Sequence, residues 1–439
     1  MHNQKYKTLL NNTFLLGLGT FGSKLLTFLM VRFYTGVLSP SDYGTADLIM
    51  QTANLLITIL LGSAVLLLAC PLLSYSSSLK EYAVLICAYT LASNLHSLCA
   101  QYVRAQGKTG LFALQGILNT ALVIFFNILF LLFFKLGVLG YVMSVVAADG
   151  LCTLYLVLHE KLWTVCTPDP EKPLWKSMLR YSIPLIPTTI FWWITSVSDR
   201  YMIAYFLGTE ANGLYAVACK IPTVLTLLST IFLEAWQFSA IEEATGDREV
   251  HIRFYGQVWS AFLSAMVMAG SVLIVLCRVE IRLLSAARYF EAWKYVPVLS
   301  IAMVFSAFAS FMGSVYVVTE KSRLSFRTTL WGALANILLN LLLIPRIGIQ
   351  GAAIATLASY VLCFSIRAVS ARKLIPFPLR FTRLVFSAAL LGIQSLLCFV
   401  NSPIQPIGQI AALLLLLVAN RKPFVQTVQQ LLHLVKRRR

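Results

Sequence analysis

Charge is what this sequence has least of. Of its 439 residues only 12% are charged, and Asp and Glu number 17 against 35 Lys and Arg. A soluble chain of this length needs a charged surface, and a composition this poor in charge and 59% hydrophobic does not supply one. Metal-ligand patterns are missing too. Cys70, Cys87, Cys99, Cys152, Cys166, Cys219, Cys277, Cys363 and Cys398 form no CxxC pair, and His2, His96, His159, His251 and His433 show no ligand spacing. Most of these cysteines fall inside apolar blocks, where a thiol behaves as a small apolar group, so we expect neither disulfides nor a metal. No A-x-A cleavage site follows the first apolar block, which is therefore read as a retained helix. No D-x-D or paired carboxylate stands at a membrane edge, and the longest loops are short. Both absences argue against a membrane transferase or polymerase.

What is present is a succession of long apolar blocks. They run at about 10–34, 45–73, 81–103, 111–134, 137–158, 178–198, 213–236, 255–277, 295–318, 325–344, 348–370, 380–400 and 404–420. About 20 apolar residues in a helix cross about 30 Å of hydrocarbon. Lipid offers the backbone no hydrogen-bond partner, so each block closes its own bonds as a helix. The chain reads as an all-α polytopic membrane protein with about thirteen transmembrane helices. Pro184 and Pro187 are expected to bend or break the sixth block, and Pro222 the seventh.

The net charge of +18 sits mostly between blocks and at the chain ends. It reads as membrane topology and anionic-lipid contact. No aromatic-plus-basic module points to nucleic acid. From residue 104 onward every second connection is basic: 104–108, 159–180, 320–327, 367–383 and the tail "VKRRR". The basic side is assigned to the cytoplasm, with the C-terminus inside. The segment 277–294 is basic yet falls outside by this count, and is expected to lie as an interfacial helix. Only three blocks precede the loop at 104–108, where cytoplasmic Lys5 and Lys7 require an even number. Either a helix is missing near residues 60–75, or that segment is irregular, or the N-terminus lies outside, which its two lysines disfavour.

The chain also repeats itself. "FKLGVLGYVMSVVAA" at 134–148 resembles "PRIGIQGAAIATLAS" at 345–359, pairing Gly137 with Gly348 and Gly140 with Gly351. "SDYGTADLI" at 41–49 resembles "EANGLYAVA" at 210–218. Two similar bundles point to a transporter with a central cavity. The division expected is an N-terminal bundle at 1–172, a C-terminal bundle at 173–374, and two further helices with a basic tail at 375–439.

Polar residues left inside the spans carry the functional argument, because a charge in hydrocarbon by default faces protein or water. Lys24 and Arg32 lie on one broad face of the first span, about 12 Å apart along its axis. Asp199 and Arg200 end the sixth span, as a structural pair or as cavity groups. Lys220 faces a cavity near Pro222, with Glu234 within about 40° of the same helix face. Asp149 is a helix-bonding residue or a site for proton or sodium coupling. His96 is read as a satisfied interior histidine. Gln51, Asn54, Asn119, Asn127, Asn336 and Asn340 are expected to bond between helices. Trp192, Trp193 and Trp236 are read first as an interfacial belt. A cavity with more cations than anions suits a pyrophosphate.

The segments at 9–49 and 179–222, with "EAWKYVPVLS" and "GALANILLNLLLIPRIGIQGAAIATLASY", resemble the polysaccharide biosynthesis flippases of the multidrug/oligosaccharidyl-lipid/polysaccharide exporter superfamily. The resemblance implies two pseudo-symmetric helical bundles plus two C-terminal helices. It implies transfer of undecaprenyl-pyrophosphate-linked oligosaccharide across the cytoplasmic membrane by alternating access, with no catalytic residues, cofactor or metal. It places Lys24, Arg32, Arg200 and Lys220 around the anionic head group, and Asp149, Asp199 and Glu234 as coupling or structural acids. Membrane lipids and other polysaccharide-assembly proteins would be partners. Some thirty residues of the family pattern are absent after "TANLLITIL". A cation-coupled multidrug-type exporter and a degenerate inactive copy remain as alternatives. A reporter fused near residue 106 should read as cytoplasmic in a paired phosphatase and fluorescence assay, and a periplasmic reading would reverse the assigned topology.

Overall fold

The computed structural model describes residues 28–59, 82–106, 108–164, 186–243, 248–319, 321–400, 402 and 404–436. Among these residues all regular structure is helical. The first helices are α1 (Phe28–Val37), α2 (Pro40–Ile59), α3 (Ala83–Ala105), α4 (Thr109–Asn127) and α5 (Gly137–Glu160). Then come α6 (Ile186–Leu207), α7 (Thr209–Lys220), α8 (Thr223–Glu243), α9 (Arg248–Leu284) and α10 (Val296–Val318). The last are α11 (Ser322–Ile347), α12 (Ile349–Leu374), α13 (Phe381–Leu397) and α14 (Ile404–Lys436).

Six described helical stretches are long and apolar enough to cross a membrane: 110–133, 137–160, 251–284, 296–318, 323–347 and 349–374. The 24 residues of α5 reach about 36 Å, enough for about 30 Å of hydrocarbon. A seventh candidate is the pair α7 and α8, bent by 43° at a break that holds Pro222, as expected of a residue that cannot donate to the helix ladder. The count of thirteen spans is not reached among the described residues. The missing helix near 60–75 and Pro184 lie outside them. Pro187 lies within α6, which runs on past it to Leu207. The segment 277–294 is not a separate interfacial helix. α9 runs on to Leu284 and a 3₁₀ turn covers Ala287–Lys294. The Arg278 guanidinium lies 4.2 Å from the Trp293 ring centroid and donates to the Cys398 carbonyl at 2.7 Å, which holds this charge at a helix end.

The chain divides into two compact units, Met1–Ala216 and Val217–Arg439. The boundary expected at 172 lies outside the described residues. In the first unit α2, α3 and α5 meet through Ala46, Ile49, Leu85, Ile86, Tyr89 and Val142. In the second unit α10 lies against α12, α9 and α8. Its core is aromatic. Trp236 stacks on Phe311, and Trp259 packs on Phe308, Phe311 and Phe364. Trp236 is 4% exposed and donates its indole N–H to Ser314 at 3.2 Å. It belongs to the interior and not to a belt, because burial removes more apolar surface than an interfacial site and Ser314 satisfies the polar end. The side chains of Trp192, Trp193 and Asn54 lie outside the described set.

The glycines of the repeat explain how matching elements begin. Gly137 and Gly348 have φ of 55° and 63°, a region costly to residues with a Cβ. Both stand where one helix hands over to the next. A Cβ on Gly351 would meet the Leu343 carbonyl carbon at 2.6 Å, and one on Gly140 would meet Leu136 Cβ at 3.0 Å. Gly44 and Gly213, paired in the repeat, touch reciprocally. A Cβ on Gly44 would lie 2.0 Å from the Thr209 oxygen, and one on Gly213 would lie 1.9 Å from the Pro40 oxygen. Each glycine faces the carbonyl four residues before the other, the self-complementary pattern of a twofold contact. Ser41 and Thr209 share a hydroxyl hydrogen bond of 2.7 Å, and the Asn212 amide donates to the Gly44 carbonyl at 2.9 Å. Gly44→Ala or Gly213→Ala should destabilise the protein by about 1–3 kcal/mol through overpacking. Gly392→Ala, where nothing lies within 4 Å, should not destabilise it. Thermal denaturation in detergent measures the difference.

Candidate functional site

Two polar clusters interrupt the apolar interior of the first unit. The first lies between α2, α6 and α7. Arg200 on α6 places Nη1 2.5 Å from both carboxylate oxygens of Asp47 on α2. The two side chains keep 13% and 8% of their exposure. Asp199 is 3% exposed. It accepts the hydroxyl of Tyr215 from α7 and, at 2.9 Å, the backbone N–H of Arg200. The adjacent charges of "SDR" therefore divide between neighbouring helices. A helix carries consecutive side chains about 100° apart, so adjacent residues do not face the same neighbour.

The second cluster is built by α3, α4 and α5. Ser93 and His96 are one turn apart on α3, as are Gln115 and Asn119 on α4, and each pair shares a helix face. Asp149 on α5 projects between them and is 6% exposed. Asn119 donates to its Oδ1 at 2.7 Å, and the Ser93 hydroxyl donates to its Oδ2. His96 Nδ1 lies 3.4 Å from Oδ1, while Nε2 lies 2.7 Å from Gln115 Oε1. Three groups thus surround one carboxylate, as a charge in hydrocarbon requires. His96 does more than satisfy itself, because its ring spans the helices that carry Gln115 and Asp149.

The other expected site residues are placed as follows. Lys24 lies outside the described residues. Arg32 on α1 is exposed, and Lys220, the last residue of α7, is half-buried. Glu234 lies in α8, and its side chain is outside the described set. Asn127 donates to the Tyr34 hydroxyl at 3.3 Å, joining α4 to α1. Asn336 reaches Thr356 on α12 at 3.4 Å, whereas Asn340 donates to Asn336 on its own helix at 3.0 Å.

Two charged groups were not singled out in the sequence. Asp47 sits in a stretch that reads as the early turns of the second span, and only the repeat draws attention to it. Arg367 was counted within a basic loop but lies inside α12 and is 3% exposed. It donates to Thr328 at 3.0 Å, Thr329 at 2.9 Å and the Ala309 carbonyl at 2.9 Å. The bare Cα of Gly313 makes room, since a Cβ there would lie 2.9 Å from Nη1. In the same unit Cys277 and Cys398 approach to 4.0 Å between sulfurs.

With this arrangement in view, comparison with known proteins supports the family resemblance. The profile of the family described as polysaccharide biosynthesis protein matches residues 52–237. An uncharacterised membrane protein of Methanocaldococcus jannaschii is 23% identical over 256 residues, 54% of this chain and 59% of that protein. The chain thus matches less than two thirds of that relative's length. Among solved structures, the lipid II flippase MurJ in an inward closed conformation is similar at a TM-score of 0.69 and 15% identity, over 94% of this chain and 99% of that one. An outward-facing multidrug resistance MATE family transporter is similar at a TM-score of 0.56 and 13% identity, over 84% of this chain and 96% of that one. The fold is the one these transporters share, and the chain is a multi-pass membrane protein.

Removing one member of the ion pair should do more harm than removing both. Arg200→Ala leaves Asp47 buried without its cation and should cost about 3–5 kcal/mol, while the double replacement Asp47→Leu with Arg200→Met should be near neutral. A thermal-shift assay on the purified variants checks the ranking.

Proposed function

We propose that the chain flips an undecaprenyl-pyrophosphate-linked oligosaccharide across the cytoplasmic membrane for surface polysaccharide synthesis, by alternating access and without enzymatic chemistry. The observation that carries this reading is the family match over residues 52–237, a stretch that holds Asp149, Asp199, Arg200 and Lys220. The similarity to a lipid II flippase over most of both chains supports it. Lys24, Arg32, Arg200 and Lys220 meet the pyrophosphate. A guanidinium binds carboxylate and phosphate through the same face, so Arg200 exchanges Asp47 for the arriving head group. Each half-cycle then keeps that charge paired. The reciprocal contact of Gly44 with Gly213 is where the two repeats part when the transporter changes state. The C-terminus lies in the cytoplasm, and membrane lipids and other polysaccharide-assembly proteins are partners.

A second reading is a cation-coupled multidrug-type exporter of the same superfamily. It is favoured by three buried carboxylates, Asp47, Asp149 and Asp199, in one unit. Drug sensitivity on deletion with intact surface polysaccharide would select it. A degenerate inactive copy is the third reading, and it turns on the stretch near residues 60–75.

The chain should restore capsule or exopolysaccharide in a flippase-null strain. Lys24→Ala and Lys220→Ala should each reduce export while leaving membrane levels unchanged. Full complementation by both variants would remove the head-group assignment.

A further inference from the structure

Helices α9, α13 and α14 of the second unit are joined by a buried polar seam. Toward one end of it the Arg383 guanidinium donates to the Ser260 hydroxyl at 2.7 Å. Further along α9, Ser264 donates to the Asn420 amide oxygen at 3.0 Å and Ser271 to the Gln394 amide oxygen at 2.9 Å. Gln394 on α13 and Gln409 on α14 each donate to the other's backbone carbonyl, at 3.3 and 2.8 Å. At its far end the seam meets two thiols. Cys277 on α9 and Cys398, which caps α13, hold their sulfurs 4.0 Å apart, and both side chains are buried. Three contacts fix Cys398 in this place. Its thiol donates to the Ile274 carbonyl on α9 at 3.6 Å, Gln409 donates to its Sγ at 3.2 Å, and Arg278 donates to its carbonyl at 2.7 Å.

We propose that Cys277 and Cys398 are joined by a disulfide that staples α13 to α9. A sulfur–sulfur bond is about 2.05 Å long, so each sulfur swings by about 1 Å from its thiol position, a movement that side-chain rotation supplies. The place suits the chemistry. The alternation of basic connections assigns this end of both helices to the extracytoplasmic side, where thiols are oxidised. Arg278, next in the chain to Cys277, stacks on Trp293 at 4.2 Å. An arginine on a tryptophan ring is the company kept at the membrane surface, so the pair sits near water and not at the bilayer centre.

Oxidation breaks two S–H bonds and forms one S–S bond. The two electrons and two protons pass to an extracytoplasmic protein disulfide, which leaves as a dithiol after a mixed-disulfide intermediate. Chain position gave no sign of this pairing. The two cysteines are 121 residues apart, and only the packing of α13 on α9 brings them together. With the seam, the staple makes α9, α13 and α14 one unit of movement, so the two C-terminal helices stay with α9 as the transporter changes state. That last step rests on the reading of the chain as a transporter, whereas the bond itself does not.

The test uses the full chain in membranes of a host that has an extracytoplasmic thiol oxidant. Membranes are quenched in acid, denatured and alkylated with a maleimide–polyethylene glycol, with and without prior reduction, and tags per chain are counted by gel shift. Of the nine cysteines, seven should take a tag without reduction and all nine after it. Cys277→Ala and Cys398→Ala should each take eight tags under both conditions. Mass spectrometry of the unreduced digest should find the peptide of Cys277 linked to that of Cys398. Thermal melting of the wild type in detergent should fall by roughly 5 °C when a reductant is present, and Cys398→Ala should not respond to the reductant. Packing of two free thiols would give neither the missing tags nor that response. Nine tags without reduction overturn the staple, as does a bond from either cysteine to a different one. Seven tags in a chain that restores no polysaccharide to a flippase-null strain sink the flippase reading and leave the staple standing. Nine tags without reduction in a chain that does restore it sink the staple alone.

Discussion

A charge carried into the hydrocarbon layer has to be neutralised or hydrogen-bonded by its own protein, and the interior of this molecule is organised around that requirement. Lipid supplies neither water nor counter-ions, so several buried charged groups recruit partners from neighbouring helices. Asp47 takes Arg200, Asp199 takes Tyr215, and Asp149 takes Ser93, Asn119 and His96. Arg367 is met by two threonine hydroxyls and a backbone carbonyl. In each case the partners sit on different helices. The same contacts that make a buried charge tolerable therefore also fix which helices are neighbours.

The requirement links stability to mechanism. A buried ion pair adds little over apolar packing, but breaking it is costly. Such a pair suits a transporter, because an arriving ion can take the place of one member without leaving the other exposed to lipid. The contact of α2 with α7 tolerates no added atom. Gly44 and Gly213 bring two helix starts within carbonyl contact, and the hydroxyls of Ser41 and Thr209 close across them.

Reading the sequence alone went furthest where composition and period carry the information. The apolar blocks predicted helices, and α4, α5, α9, α10, α11 and α12 lie where blocks were drawn. Paired glycines marked the repeat, and Gly137 and Gly348 share a left-handed backbone because only glycine takes it without strain. Pro222 marked a bend. The misreadings came from treating a residue by its local company. Trp236 resembled a belt residue and is core. Arg367 resembled a loop cation and is inside a helix. Asp199 and Arg200 read equally as a pair or as cavity groups, and in the structure they bond to Tyr215 and Asp47. His96, by contrast, reads as a satisfied interior histidine, and Gln115 does satisfy it.

The sequence by itself determined that this chain is helical and crosses a membrane, that some of its segments resemble one another, and which polar residues stand within its apolar spans. Those are properties of composition and spacing along one segment, and the bilayer enforces them segment by segment. Only the tertiary structure decided which acid meets which base. Asp47 and Arg200 are separated by 153 residues, and His96 and Asp149 by more than one whole helix. Such pairings depend on how helices rotate and cross against one another. That is settled by the packing of many small contacts, such as a missing Cβ at Gly44, and not by the charges themselves.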